Sequence, residues 1–525
     1  MAPAPKQAAV RSAERRRNVE LKIYRDTIRT MGTICDIPLE VPLEAEILIP
    51  DYLPAVFKIV KTLVHRVVLQ RQLQGGRLLV EGYFRVEVLY QGEDQNLCTV
   101  EQKIAFSKQQ ELRGMEENSL PDSCRLDISG EVQYINCRAV SQRRLDLRGA
   151  YHLQVHAAGD FQQEVITALA ENGVQQKNSS IPTVQLYTSR EKQFTLDEPV
   201  AFEAQPEVVV HTQATVQLQE VRIVAGKAVV KGELRTTVIY REAQTAPLHR
   251  QEAALPFHQV LEMEAADEDC ECQAQLEMIG CSIFSEPSQE EETRLSCTCL
   301  LTVRAWKAAQ FIGVTDCFST QQELDVEYGE CSTDTLLETV SNTVEVQAEG
   351  KLPEDSLQIL ECFAECSAPE LVVLENRTAI RGKATAHLIC RNDLGEIDCY
   401  DKTCEYLLPK RYELPLEEIT ASLTAVCDGV RCLQNDAQAQ AEITVRVQGF
   451  LCRRQHSRVV QGVRCVQPLE KNEEIALRVY YAQAGEEVFD IAKRYHASPE
   501  AISALAGIEG DVLQAPARLL IPQSW

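Results

Sequence analysis

The side chains able to carry catalytic or metal chemistry are nine histidines and twenty cysteines. His152 and His156 have the i, i+4 spacing of a helical metal pair, but Leu153 and Val155 alternate with them in a segment that reads as strand. Alternation then puts both imidazoles on one face, the wet one, so surface histidines are expected rather than a metal site. The remaining histidines, His65, His211, His249, His258, His387, His456 and His496, follow no pattern along the chain. The tightest cysteine spacings are Cys270/Cys272, Cys297/Cys299 and Cys362/Cys366. None makes the CxxC knuckles or Cys/His sets of a structural zinc site. Motifs of the HExxH, GxSxG, GxxxxGK and GxGxxG types are missing. No catalytic residue, cofactor or metal is expected, and the chain reads as a non-enzyme.

The elements that position these residues repeat. GRLLVEGYFRVEVLY at Gly76–Tyr90 returns as GKAVVKGELRTTVIY at Gly226–Tyr240 and as NRTAIRGKATAHLIC at Asn376–Cys390, each shift being 150 residues. That period means tandem domains, since solenoid repeats are much shorter. Within the first block Val80, Gly82, Phe84, Val86, Val88 and Tyr90 share a face; Glu81, Tyr83, Arg85 and Glu87 share the other, expected to be wet. Gly76, Gly226 and Asn376 are residue types that accept positive φ, so each is predicted to open a hairpin strand. Gly82, Gly232 and Gly382 stand on the apolar face, where glycine marks a bulge or a close backbone approach. A later strand reads LQV at 153–155, LTVRA at 301–305 and ITVRV at 443–447. Each unit is predicted to span roughly 120–130 residues as a small antiparallel sandwich.

The cysteines do not recur with the repeat, so a disulfide framework is not expected, and most of the thiols are expected to be buried and reduced. The 525 residues carry a net charge of −25 spread over all three copies, which disfavours nucleic acid and anionic membranes and suits a basic partner surface. Lys6, Arg11, Arg15, Arg16 and Arg17 make the opening basic, with no apolar face to insert. Residues 1–19 are expected to be a disordered basic tail, with no signal peptide and no membrane-spanning segment. The sequons at Asn178 and Asn376 are expected to go unused in an unexported chain.

After Pro468 the pattern changes to a short strand, two helices and a final strand. Val488, Ile491, Ala492 and Tyr495 form a helical stripe; Ser498 and Pro499 start a second helix, Gly507 ends it, and Ile502 and Leu505 supply its buried face. Tyr481, Gly485, the IAKRY of Ile491–Tyr495, Ser498-Pro499-Glu500, Leu505 and the closing LLIP make the segment resemble a LysM module. The resemblance implies a glycan-type groove formed by Gly485, Glu486, Glu487 and Val488 on one side and Ala506, Gly507 and Ile508 on the other. This chain departs from the family at Glu486-Glu487, Ala506 and Ala517, which removes hydrogen-bonding groups a sugar would use. Paired carboxylates suit a basic protein surface, and equally a helix start.

With that module in place, LLVEGYFRVEVLY and VVKGELRTTVIY resemble the SPOCS repeat of spore-coat-associated proteins. Three such repeats and one LysM are similar to clostridial-type spore coat morphogenetic proteins. The expected fold is mainly β: three sandwich-like repeats at 20–165, 180–312 and 325–468, then a βααβ LysM module at 476–525. The resemblance implies a mother-cell cytoplasmic protein at the forespore surface that promotes coat encasement. Its expected partners are the coat morphogenetic ATPase, met through the LysM, and other coat proteins, with self-association through the repeats left open. The alternative is a protein of the cell wall or cortex that binds peptidoglycan or other N-acetylglucosamine polymers through the LysM.

Overall fold

The computed structural model describes residues 21–112, 124–171, 173–242, 247–264, 266–285, 293–353, 357–435, 438–469 and 476–522; the basic tail falls outside them. The chain is built mainly of antiparallel strands, arranged as three units of the same topology. The first unit holds β1 (Lys22–Leu48), β2 (Val56–Gln74), β3 (Arg77–Gly92), β4 (Leu97–Glu111), β5 (Cys124–Ser141) and β6 (Arg144–Ala170). Its two sheets have the orders β1-β6-β5 and β2-β3-β4. The second unit repeats them with β7 (Val174–Pro199), β8 (Val208–Val224), β9 (Lys227–Arg241), β10 (His249–Glu262), β11 (Glu271–Ser285) and β12 (Thr293–Ser319), as β7-β12-β11 and β8-β9-β10.

The third unit holds β13 (Gln322–Lys351), β14 (Gln358–Cys366), β15 (Glu370–Leu374), β16 (Arg377–Arg391), β17 (Ile397–Pro409), β18 (Ile419–Asn435) and β19 (Gln438–Pro468). Here β14 and β15 both lie along one edge of β16, with β17 on the other, and β13-β19-β18 form the second sheet. In each unit a separate apolar core fills the space between the sheets, with Phe84 and Leu153, Leu234 and Leu301, and Ile380 and Val445 all fully buried. Burial of this kind, at about 25 cal/mol per Å² of apolar surface, is the main stabilising term for such sheets.

Local chemistry accounts for the hairpins. The central pairs Gly75-Gly76, Ala225-Gly226 and Glu375-Asn376 all have positive φ, between 48° and 71° in the first and third and 48° and 74° in the second. That is the pattern of a tight turn whose twist matches its flanking strands. A register shift at Val68/Gln70 lies opposite Gly82, and another at Leu218/Glu220 lies opposite Gly232. Opposite Gly382 the shift has grown into the break between β14 and β15, and the ring of Tyr406 fills the space.

The outermost strands run past the sheets. β5, β11 and β18 pair with β6, β12 and β19 only as far as Gly159, Trp306 and Arg453. Beyond those points β1/β6, β7/β12 and β13/β19 continue as two-stranded ribbons. A lone ribbon is marginal in water. These three pack on one another through Ile166, Leu169, Val314, Cys317, Val460 and Val463, and through Ile28, Val165, Ile181, Cys331 and Val459. The expected unit edges at 165, 180, 312 and 325 accordingly fall inside β6, β7, β12 and β13. Each unit is nearer 150 residues than 130, because stretches read as connections are strands.

The expectation that the second face of the repeated strand is wet needs correction. Arg85 and Glu87 in β3 and His387 in β16 are buried, because that face turns toward the neighbouring units. All twenty cysteines are free; ten are buried and one, Cys465, is exposed. Among the described residues no helix is long and apolar enough to cross a membrane.

Candidate functional site

The C-terminal segment forms β20 (Leu477–Ala482), α1 (Val488–Tyr495), α2 (Pro499–Ala506) and β21 (Ala517–Pro522), with β20 antiparallel to β21. α1 buries Val488, Phe489, Ile491 and Ala492. Ser498 Oγ accepts from the Ala501 amide at 3.3 Å, and Gly507 ends α2 at φ 63°, as the cap and stop residues predict. Ile502 is buried, but Leu505, read as its companion, is 52% exposed. The short α2 turns only one apolar position fully inward.

One side of the expected groove, Gly485 to Val488, is tied to Asp511 and Leu513, a few residues beyond the other side at Ala506, Gly507 and Ile508. Gly485 N–H donates to the Leu513 carbonyl at 2.7 Å, Leu513 N–H to that of Glu486 at 2.9 Å, and Val488 N–H to that of Asp511 at 2.8 Å. The loops after β20 and α2 are thus joined by backbone hydrogen bonds. Gly485 and Gly507 are exposed, Ala506 and Ile508 half-buried, and Val488 buried. The two carboxylates are already engaged. Glu486 accepts from the Tyr480 hydroxyl at 2.8 Å and the Gln483 amide at 2.7 Å. The Gln483 amide and the Tyr480 hydroxyl hold the Glu486 carboxyl below its ordinary range. Glu487, at the N-cap of α1, makes no side-chain cap bond and instead pairs with Lys177 of β7.

That ion pair and one made by Lys493 fasten the module to the ribbon ends. Lys493 Nζ donates to both oxygens of Asp316, at 2.6 and 2.7 Å, and the Tyr328 hydroxyl donates to Asp316 at 2.6 Å. Phe318 of β12 is 4% exposed, belongs to the module's apolar core and meets Phe489 edge-on at 5.2 Å.

A second constellation, which sequence reasoning missed, sits where the three units meet. Leu89, Ile239 and Ile389, spaced by the repeat, join Leu63, Leu97, Val210, Phe363 and Ile397 in one buried cluster. Beside it lies a cavity of about 770 Å³ whose lining includes His65, His211, Glu365, His387 and Asp401. His211 Nδ1 is 3.0 Å from Glu87, and Arg85 is 3.3 Å from the same carboxylate. Burial opposes ionisation of Glu87, but the hydrogen bond and charge of His211, with His65 and Arg85, hold its pKa at about 2. Burial also pushes His65 below its ordinary value.

His387 Nδ1 lies 2.7 Å from Asp401, whose other oxygen accepts from Lys61 Nζ of the first unit at 2.6 Å. Burial would depress His387, yet Asp401, Cys399 and Glu365 together raise it to about 10. Asp401 is desolvated too, but His387 and Lys61 bring it down to about 2. The Phe363 ring lies 4.5 Å from that of His211 and 5.0 Å from that of His387. Chemically this is a fastening: charge pairs cross between units inside an apolar collar. Asp127 extends it at a distance, reaching Arg304 of the second unit at 3.0 Å and Ser422 of the third at 3.1 Å.

The signal lay in the 150-residue register. Positions 87, 237 and 387 hold Glu, Thr and His; positions 65, 215 and 365 hold His, Thr and Glu; positions 61, 211 and 361 hold Lys, His and Glu. Histidine exchanges with glutamate between copies, a pattern invisible along the chain and plain across the repeat. The nearby His152 and His156 do share a face of β6 and are half-buried, with His156 4.0 Å from Asp36.

Two segments of the chain match the family described as SipL, SPOCS domain, residues 55–140 and 205–284. Their starts are 150 residues apart, and they cover β2 to β5 and β8 to β11, the same four strands of the first and second units. The match supports a SPOCS-containing, sporulation-related protein. No curated protein and no solved structure matches the chain.

Proposed function

We propose that this chain is a non-enzymatic spore coat morphogenetic adaptor that assembles on the forespore surface and promotes encasement through protein–protein contacts. The observation that carries the reading is the contrast between inner and outer positions of the three units. Leu89, Ile239 and Ile389 keep one role at the junction, whereas Glu81, Lys231 and Arg381, half-buried toward the hairpin end of the same strand face, differ in charge. Units that share a core and differ outside are suited to several weak contacts, which linkage into one body makes collectively strong. The SPOCS match supports a role in sporulation, and the net charge of −25 suits basic partner surfaces. The C-terminal segment is read as a LysM module turned to protein recognition, with the coat morphogenetic ATPase as its partner. Its glutamates weigh against a sugar-binding reading, because Glu486 and Glu487, held by Tyr480, Gln483 and Lys177, stand where the resemblance places small polar groups.

The test is a paired pull-down from a sporulating-cell extract with the full chain and a chain ending at Pro468. The adaptor reading expects coat proteins, the ATPase among them, on the full chain and loss of the ATPase on the shorter one. Retention of muropeptides or chitooligosaccharides by the full chain, with no coat protein, would establish the glycan-binding alternative instead.

A further inference from the structure

Beside the junction cavity, which His387 and Asp401 line, β16 and β17 bring together three different donor types. His387 and Asp401 are direct cross-strand partners, and Cys399 lies two residues before Asp401 on the same strand face. One ligand atom from each lies within 4.8 Å of the others. We propose that His387 Nδ1, Cys399 Sγ and a carboxylate oxygen of Asp401 form a binding site for a divalent cation of the zinc class.

Three observations carry this. The donor set mixes thiolate, imidazole and carboxylate, which suits zinc and similar borderline ions; magnesium and calcium call for oxygen alone. The spacing fits a tetrahedral ion. Metal–sulfur and metal–oxygen bonds of about 2.3 and 2.0 Å put the two donors about 3.5 Å apart, and Cys399 Sγ stands 3.8 Å from Asp401 Oδ1. The His387–Asp401 contact of 2.7 Å opens by roughly half an ångström to admit the ion, a small side-chain rotation.

The surroundings also resemble the outer shell that orients metal ligands. His387 is 5% exposed, and its other ring nitrogen, Nε2, is buried with no hydrogen-bond partner. The Glu365 carboxylate is 3.7 Å from Nε2, and a small closure on metal binding makes the carboxylate–imidazole hydrogen bond that fixes the tautomer of a metal-bound histidine. Asp401 Oδ2 is held by Lys61 of the first unit, leaving Oδ1 for the ion. With the cation bound, the proton shared by His387 and Asp401 and the thiol proton of Cys399 leave to solvent. Water completes the proposed tetrahedral set. The ligands came from two strands and were hidden from a reading of local spacing, which expected no metal.

The test uses the full chain stripped with a chelator and titrated with zinc alone, then with cobalt(II) as the spectroscopic probe. One zinc per chain is expected, with a thiolate-to-cobalt charge-transfer band. Cys399→Ser, at a half-exposed position, should abolish the band and weaken zinc at least about 100-fold, while Glu365→Gln keeps the band and weakens binding about 10-fold. Cys465→Ser, at the exposed cysteine, should change neither. Far-ultraviolet circular dichroism checks that each variant is folded. The proposal fails if the stripped chain takes up no stoichiometric zinc. It fails equally if Cys399→Ser binds as the parent does, or if Cys465→Ser removes the tight site.

Discussion

A Cβ added at Gly82 would stand 2.1 Å from the Val67 carbonyl oxygen, and one at Gly232 would stand 2.5 Å from that of Gln217. Backbone cannot yield to such a contact as a flexible side chain can. Gly82→Val should therefore destabilise the protein by about 2 kcal/mol or more, whereas Gly280→Ala, with open space around it, should stay within about 0.5 kcal/mol. Urea midpoints compare the two, and equal shifts would mean that the Val67 carbonyl does not crowd position 82. Glu87 sets a pH dependence. Its folded pKa of about 2 lies below an unfolded value of about 4.3, so its stabilisation is full above pH 4.3 and is lost as pH falls toward 2. Glu87→Gln should remove that loss, up to about 3 kcal/mol, and flatten the decline in stability between pH 4.3 and 2. An unchanged acid limb in urea titrations would mean that the His211 pairing does not form. The packing glycines were legible because an apolar strand face gives up a side chain chiefly where another backbone comes close. The junction charges were not, since alternation fixes which face Glu87 shares and says nothing of what covers it.

At the scale of elements, the C-terminal module shows where local reading stops. Ser498 and Gly507 announce the ends of α2 through chemistry confined to a few residues, and the observed cap and left-handed stop match them. Docking could not be read in that way, because Phe318, Asp316 and Lys177 belong to strands far earlier in the chain. The surplus length of β7, β12 and β13 has the same origin: Ile181, Val314 and Cys331 are apolar on one face because other ribbons cover them. Phe318→Ala should cost about 3 kcal/mol of docking free energy and speed hydrogen exchange at the α1 amides. Lys493→Glu, placed against Asp316, should act in the same direction. If exchange in α1 is indifferent to both, the module stands free of the ribbons and its groove is unhindered by Lys177.

For the whole molecule, the 150-residue period foretold three copies of one β unit, and the shared strand order follows it. It did not foretell that the copies close on one another, since a repeated sequence is compatible with beads on a string. What decides is the second face of β3, β9 and β16, where Leu89, Ile239 and Ile389 meet in a single cluster. The proposed adaptor role calls for differing surfaces held in fixed relation, which closed units supply and separate beads would not. Peptide-resolved hydrogen exchange on Ile239→Ala tests that claim most directly. Ile239 is 1% exposed, and its truncation should cost about 3 kcal/mol. Protection is expected to fall together in β3, β9 and β16. Loss confined to β8, β9 and β10, with the first and third units unchanged, would contradict it.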